Sequence, residues 1–337
     1  IAAFVVCQIL IQNGQMTRSF KGQLVPICVY VVMAVSLNLT VGISGELSLG
    51  HAGFMSVGAF TGVVTAMSLQ SAIPSDGVRL ALAIVMGAIF AGIAGTLVGI
   101  PVLRLHGDYL AIVTLAFGEI IKELINCLII GHDENGLHII FNATGAKTVT
   151  DLGLTETGKV LIKGAQGATG TDTIASFTAG FILIMVTLVV VLNLARSRSG
   201  RAIMALRDNR IAAESVGINV TKYKLMAFVT SAALAGGAGA LYGLNFSNLV
   251  SSKFDFNTSI LILVFVVLGG LGNMWGSIIA AAVLTVLPEA LRGFADYRML
   301  IYAIVLIVVM LATNSPQMKA LLSKLVPFGK KGEKEHA

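Results

Sequence analysis

Apolar runs long enough to cross a bilayer follow one another along this chain, and that alone removes most of the folds open to 337 residues. A spanning helix needs about 20 mostly apolar residues, because in lipid each backbone polar group must be satisfied within the segment. Leu24 to Ile43, Leu80 to Val102, Tyr109 to Ile130, Ile174 to Leu194 and Leu225 to Leu244 reach that length. Ile1 to Ile11 reads as a further, shortened span. Leu47 to Met67, Ile260 to Leu291 and Met299 to Ala312 are less regular, the first two because glycines interrupt them. No charged n-region or small-residue cleavage site accompanies Ile1 to Ile11, so it is expected to be retained. Composition agrees: 12% of residues are charged, against about a quarter in soluble domains.

Basic residues near span ends stay in the cytoplasm, which orients the chain. The segment from Ala195 to Lys224 carries seven basic and two acidic residues, and the tail 313–337 carries five lysines. Both are expected inside. The 43 residues of 131–173 hold three basic and five acidic residues and are expected outside, with some short structure of their own. Ile260 to Leu291 is 32 residues long and counts as two spans broken at "GGLGNMWG", Gly269 to Gly276, with Trp275 as an interface anchor. The reading is an all-α polytopic membrane protein of about ten transmembrane helices with both termini cytoplasmic. It makes 1–312 one transmembrane domain, with 131–173 an external loop, 195–224 a cytoplasmic loop and 313–337 a basic cytoplasmic tail. Glycines four apart at Gly58 and Gly62, Gly95 and Gly99, and Gly239 and Gly243 let helix backbones approach closely.

Several function classes fall away. The net charge of +6 concentrates in the two cytoplasmic segments, so it is not a nucleic-acid footprint. Cys7, Cys28 and Cys127 stand alone in apolar runs, without spacing for a metal or a disulfide framework, and no metal ligands are assigned. A hydrolase is disfavoured, because Ser48 and His51 lack a G-x-S-x-G elbow, and no catalytic residue is assigned. A G-x-x-x-x-G-K-[ST] phosphate loop is missing: Gly158-Lys159 and Gly329-Lys330 are followed by Val160 and Lys331. If ATP drives this protein, another chain hydrolyses it, and no cofactor is expected here.

Three stretches carry candidate function. "GISGELSLGHAGF", Gly42 to Phe54, sets Ser44, Glu46, Ser48 and His51 between apolar helices. It is either a cytoplasmic turn with Glu46 solvated or a broken helix lining a translocation pathway, the only setting in which irregular backbone is tolerated at membrane depth. Glu119, Lys122 and Glu123 share one helical face inside an apolar run, as a polar path or as a self-paired cluster. Within the basic loop, Ile203, Leu206, Ile211 and Val216 are spaced to form one apolar side of a short amphipathic helix that Gly217 stops. With Asp208 and Glu214 among its charges, that helix suits a protein partner better than a lipid surface.

"AAESVG", Ala212 to Gly217, resembles the Ala-Ala-x-x-x-Gly core by which ABC importer permeases dock on their ATPase subunits, with Ile211 where many members have Glu. Together, "SLNLTVGISGELSLGHAGFMSVGAF", "LRLHGDYLAIVTLAFGEIIKE", "SGRAIMALRDNRIAAESVGINVTKYKLMAF" and "VVLGGLGNMWGSIIAAAVLTVLPE" resemble the LivM-type permease subunit of branched-chain amino acid ABC importers, in the family's order from Ser36 to Glu289. "GHDENGLHII", Gly131 to Ile140, departs from the family's usual Thr-Gly-Gly-type turn. The resemblance implies half of a translocation pathway in a bacterial cytoplasmic membrane, paired with a second homologous permease subunit. It also implies ABC ATPase subunits that consume ATP, and an external solute-binding protein. Ser44, Glu46, Ser48, His51 and Glu119 are then candidates for the pathway, and Arg207, Asn209, Arg210, Ala212, Ala213 and Gly217 for the ATPase contact. Branched-chain amino acids are the implied substrate, and related permeases carry urea, amides or sugars. The alternative is a self-sufficient ion-coupled transporter or channel using Glu119 to Glu123, against which stands the lack of inverted repeats in the hydropathy.

Overall fold

The computed structural model describes residues 18–291, apart from 71, 106, 134–135 and 143–157, and only isolated positions elsewhere. The expected spans Ile1 to Ile11 and Met299 to Ala312 and the tail 313–337 lie outside the described residues, so the count of ten is not met or missed here. Residues 1–282 form one compact unit and 283–337 a second.

Eight long helices are described: α1 (Arg18–Asn38), α2 (His51–Ser68), α3 (Asp76–Val102), α4 (Asp108–Asn126), α5 (Phe177–Arg196), α8 (Val220–Gly243), α9 (Phe256–Gly269) and α10 (Met274–Ala290). Two short helices, α6 (Arg198–Asp208) and α7 (Arg210–Ser215), fill the basic loop between α5 and α8. Among the described residues, five segments are long and apolar enough to cross a membrane, 22–43, 76–102, 177–196, 220–243 and 251–269. Their outward side chains are large and apolar, among them Ile89, Ile93 and Leu97 of α3 and Ile182, Val186 and Val189 of α5. Such surfaces belong in lipid.

The centre of the bundle is built on small residues. A Cβ at Gly58 of α2 would lie 2.0 Å from the Gly236 carbonyl of α8, and one at Gly239 would lie 2.0 Å from the Met55 carbonyl. Dispersion contacts between backbones this close hold helices together where hydrophobic burial offers nothing, since the lipid is equally apolar. Gly62 meets Ala240 in the same sense, so α2 and α8 run parallel. Tyr242 and Ser231 of α8 meet Tyr30 and Ser36 of α1, so α1 runs antiparallel to α8.

The departure from an all-α chain is a small antiparallel sheet at the end of the bundle where α2 and α4 finish. Its strands β1 (Leu128–Asp133), β2 (Gly136–Phe141), β3 (Lys159–Lys163), β4 (Ala168–Thr169) and β5 (Asn248–Leu249) lie in the order β2-β1-β3-β4-β5. The apolar run expected as one helix from Tyr109 to Ile130 therefore ends at Asn126. Leu128 to Ile130 instead pair with Phe141 to Ile139 across a hairpin. Short β-branched apolar runs do not distinguish a helix end from a strand.

Candidate functional site

α1 does not end in an ordinary turn. Leu39–Ile43 widens into a π-helical turn, with Ser44 N–H on the Leu39 carbonyl at 3.1 Å and Glu46 N–H on the Thr40 carbonyl at 3.0 Å. The Asn38 side chain holds this shape: its Oδ1 accepts from Gly272 N–H at 2.8 Å and its Nδ2 donates to Ser277 Oγ at 2.9 Å. The α9–α10 turn is thereby pinned against Gly42, where a Cβ would lie 2.3 Å from the Gly272 nitrogen. π-turns are rare and gather at functional positions.

From Ser44 the chain is irregular up to His51, where α2 begins. Its polar side chains turn inward, while Gly45 and Leu47 are exposed. Ser44, Ser48 and His51 are 2–3% exposed and Glu46 is 8% exposed. His51 Nε2 lies 2.8 Å from Ser36 Oγ, and Ser36, in the last turn of α1, stands about two turns before the π-turn ends at Ile43, so the segment climbs back into the bundle before α2 starts. Its backbone is satisfied by side chains from other helices: Leu49 N–H donates to Thr114 Oγ1 of α4 at 3.1 Å, and Ala52 N–H to Ser259 Oγ of α9 at 3.1 Å. Buried amides require such partners. Ser48 Oγ, also buried, has no hydrogen-bond partner among the described residues. The polar side chains of Ser44, Glu46, Ser48 and His51 are thus enclosed by the protein.

Glu46 is not solvated. Its carboxylate pairs with Lys224 Nζ from the first turn of α8, and both side chains are about nine-tenths buried. Sequence reasoning missed Lys224, counting it with the orienting charges of the loop. Its signal was its position directly before an apolar run. Ser36, Thr114 and Ser259 were also missed as partners. Each is a hydroxyl in a mainly apolar helix, a type more often bonded to its own backbone, as Thr114 also is to the Ala111 carbonyl at 2.9 Å.

Glu119 stands apart from this cluster. Its carboxylate pairs with Lys122, which also lies 3.9 Å from Glu123, so these three charges are satisfied locally. With Leu49, Gly53 and Ser259, Glu119 lines a narrow cavity beside the irregular segment.

The basic loop folds differently from the single helix expected. Asn209 is extended, with φ −153° and ψ 104°, and its side chain caps a new helix by accepting from Ala212 N–H at 3.0 Å. The break re-phases the apolar residues. Ile203 and Leu206 of α6 are 1% and 3% exposed, with Ile203 in the core beside Val35 and Val191, while Ile211 and Val216 are 80% and 75% exposed. Ala213 turns inward against Leu206 and Val220, and Ala212 lies outside with Ile211. Arg210 pairs with Glu214 at 3.1 Å along α7. Gly217 ends the loop helix at φ +84°, a conformation that favours glycine, with open space where a side chain would stand. Arg207 points the other way: its Nη1 donates to the Gly42 carbonyl at 2.6 Å.

A family model described as "Branched-chain amino acid transport system / permease component" matches residues 21–311. The high-affinity branched-chain amino acid transport system permease protein LivM of Escherichia coli (strain K12) is 34% identical over 293 residues, covering 84% of this chain and 66% of that protein. The probable LivM permease of Methanocaldococcus jannaschii is 24% identical over 277 residues, with 73% of this chain and 74% of that protein covered. The permease protein LivH of Salmonella typhimurium is 22% identical over 289 residues, with 84% and 88% covered. The chain spans about two thirds of the length of the Escherichia coli relative.

Proposed function

Since this chain belongs to the family of branched-chain amino acid transport permease components, we propose that it forms half of the translocation pathway of an ATP-driven importer for aliphatic amino acids. The second half comes from a similar permease chain, and separate ABC ATPase subunits dock at α6 and α7. In this reading the protein sits in a bacterial cytoplasmic membrane with α6–α7 inside. The end bearing the sheet then faces outside, towards a solute-binding protein. The chain itself is a transport subunit and not an enzyme.

The observation that carries the proposal is the outward face of α7. Ile211 and Val216 are more exposed than any other large apolar side chain described, and in this reading they sit on a charged loop outside the bilayer. Burying them against a partner gains about 25 cal/mol per Å² of apolar surface. The pathway candidates Ser44, Glu46, Ser48 and His51 lie together on a re-entrant segment, which is how transport pathways interrupt helices. Glu119 stands beside that segment. Its pairing with Lys122 leaves little in favour of an ion-coupled transporter built on Glu119 to Glu123.

The test is copurification of the tagged chain from its native membrane, with identification of every attached protein. Recovery of P-loop chains and a second permease is expected. A chain that purifies alone and still transports would overturn the proposal.

A further inference from the structure

The loop that carries Ile211 and Val216 on its outer side sends two cationic side chains inward, and both end on the same segment. Arg207, the next-to-last residue of α6, donates to the Gly42 carbonyl at 2.6 Å. Lys224, in the first turn of α8, pairs with the Glu46 carboxylate. The two attachments bracket Ile43 to Gly45, the start of the irregular chain that climbs to His51. Gly45 is shaped to Arg207: at φ +74° it has no Cβ, and a Cβ there would lie 2.5 Å from Arg207 Cγ. The Arg207 stem therefore rests on the backbone of the segment while its guanidinium grips the carbonyl three residues earlier.

Apolar contacts also join the loop to the bundle. Ile203 packs with Val35, Leu39, Ile43 and Val191, and Leu206 with Ala213 and Val220. Apolar contacts are non-directional and let surfaces slide, whereas a buried ion pair and a charge-assisted hydrogen bond fix position. We propose that Arg207 and Lys224 are positioning residues for transport, transmitting a displacement of α6–α7 to the re-entrant segment through Gly42 and Glu46. This rests on the reading that an ATPase displaces α6–α7. Lys224 and Glu46 act through their opposite charges, so exchange of the two charges preserves the link and neutralisation of both removes it.

The experiment uses the complete complex, purified with its ATPase chains and reconstituted in vesicles, and reads substrate taken up per ATP hydrolysed. Arg207→Ala and the doubly neutral Glu46→Gln/Lys224→Met should each lower that ratio about tenfold while ATP is still hydrolysed. The exchange Glu46→Lys/Lys224→Glu and the conservative Lys224→Arg should recover much of it. The neutral pair leaves no lone buried charge, so it keeps the test open if single variants fail to assemble. Normal uptake per ATP in the neutral pair would overturn the proposal. If the unaltered chain brings no ATPase with it, the reading beneath the proposal fails, and the proposal with it.

Discussion

Lys224 and Glu46 meet inside the bundle, each 8% exposed, although 178 positions separate them in the chain. Desolvating two charges costs several kcal/mol, and only their mutual attraction offsets it. Lys224→Met or Glu46→Gln alone strands a partner and should destabilise by about 3–5 kcal/mol. The double variant should cost less than either single one. Thermal unfolding of the purified protein in detergent checks this, and additive losses would contradict a direct pair.

Gly45→Ala meets a backbone penalty and a steric one. A residue with a Cβ in the left-handed region costs about 1–3 kcal/mol, and at φ +74° this Cβ also collides with Arg207 Cγ. Adding Arg207→Ala should remove the collision and leave the backbone cost. Partial recovery of stability in the double variant is the expected result.

Ile211→Asp and Val216→Asp touch nothing buried, as these residues are 80% and 75% exposed. Each should change the stability of the chain by less than about 0.5 kcal/mol yet sharply reduce the ATPase recovered with it. Ile203→Asp, at 1% exposed, should prevent folding. Equal ATPase recovery with Ile211→Asp would move the docking surface elsewhere.

The proposed orientation puts the sheet outside and α6–α7 inside. A cysteine at Gln166, exposed beside the sheet, should react with a membrane-impermeant thiol reagent added outside intact cells. One at Ser215, exposed on α7, should react only after permeabilisation. The opposite pattern would invert the topology.

Where local chemistry decides the outcome, the fold was legible. The run from Ile260 to Leu291 divides at Gly270 and Gly272, both at positive φ, within the break read from "GGLGNMWG". The stop at Gly217 has the same cause. The break at Asn209 escaped because amphipathic spacing continues past it, and only the capping side chain shows that a new helix starts. In the candidate site, Glu46, Ser48 and His51 stood out as polar residues among glycines, but their partners did not. Lys224, Ser36, Thr114 and Ser259 come from four other helical segments, and nothing local to them records that they converge.

Uptake into vesicles holding the purified complex decides the central claim, that this chain is the permease of an ATP-driven importer. With a labelled branched-chain amino acid and its binding protein outside, uptake should require ATP within the compartment bearing α6–α7. It should also persist when sodium and proton gradients are collapsed. Uptake by the chain alone, driven by an ion gradient without ATP, would contradict the account.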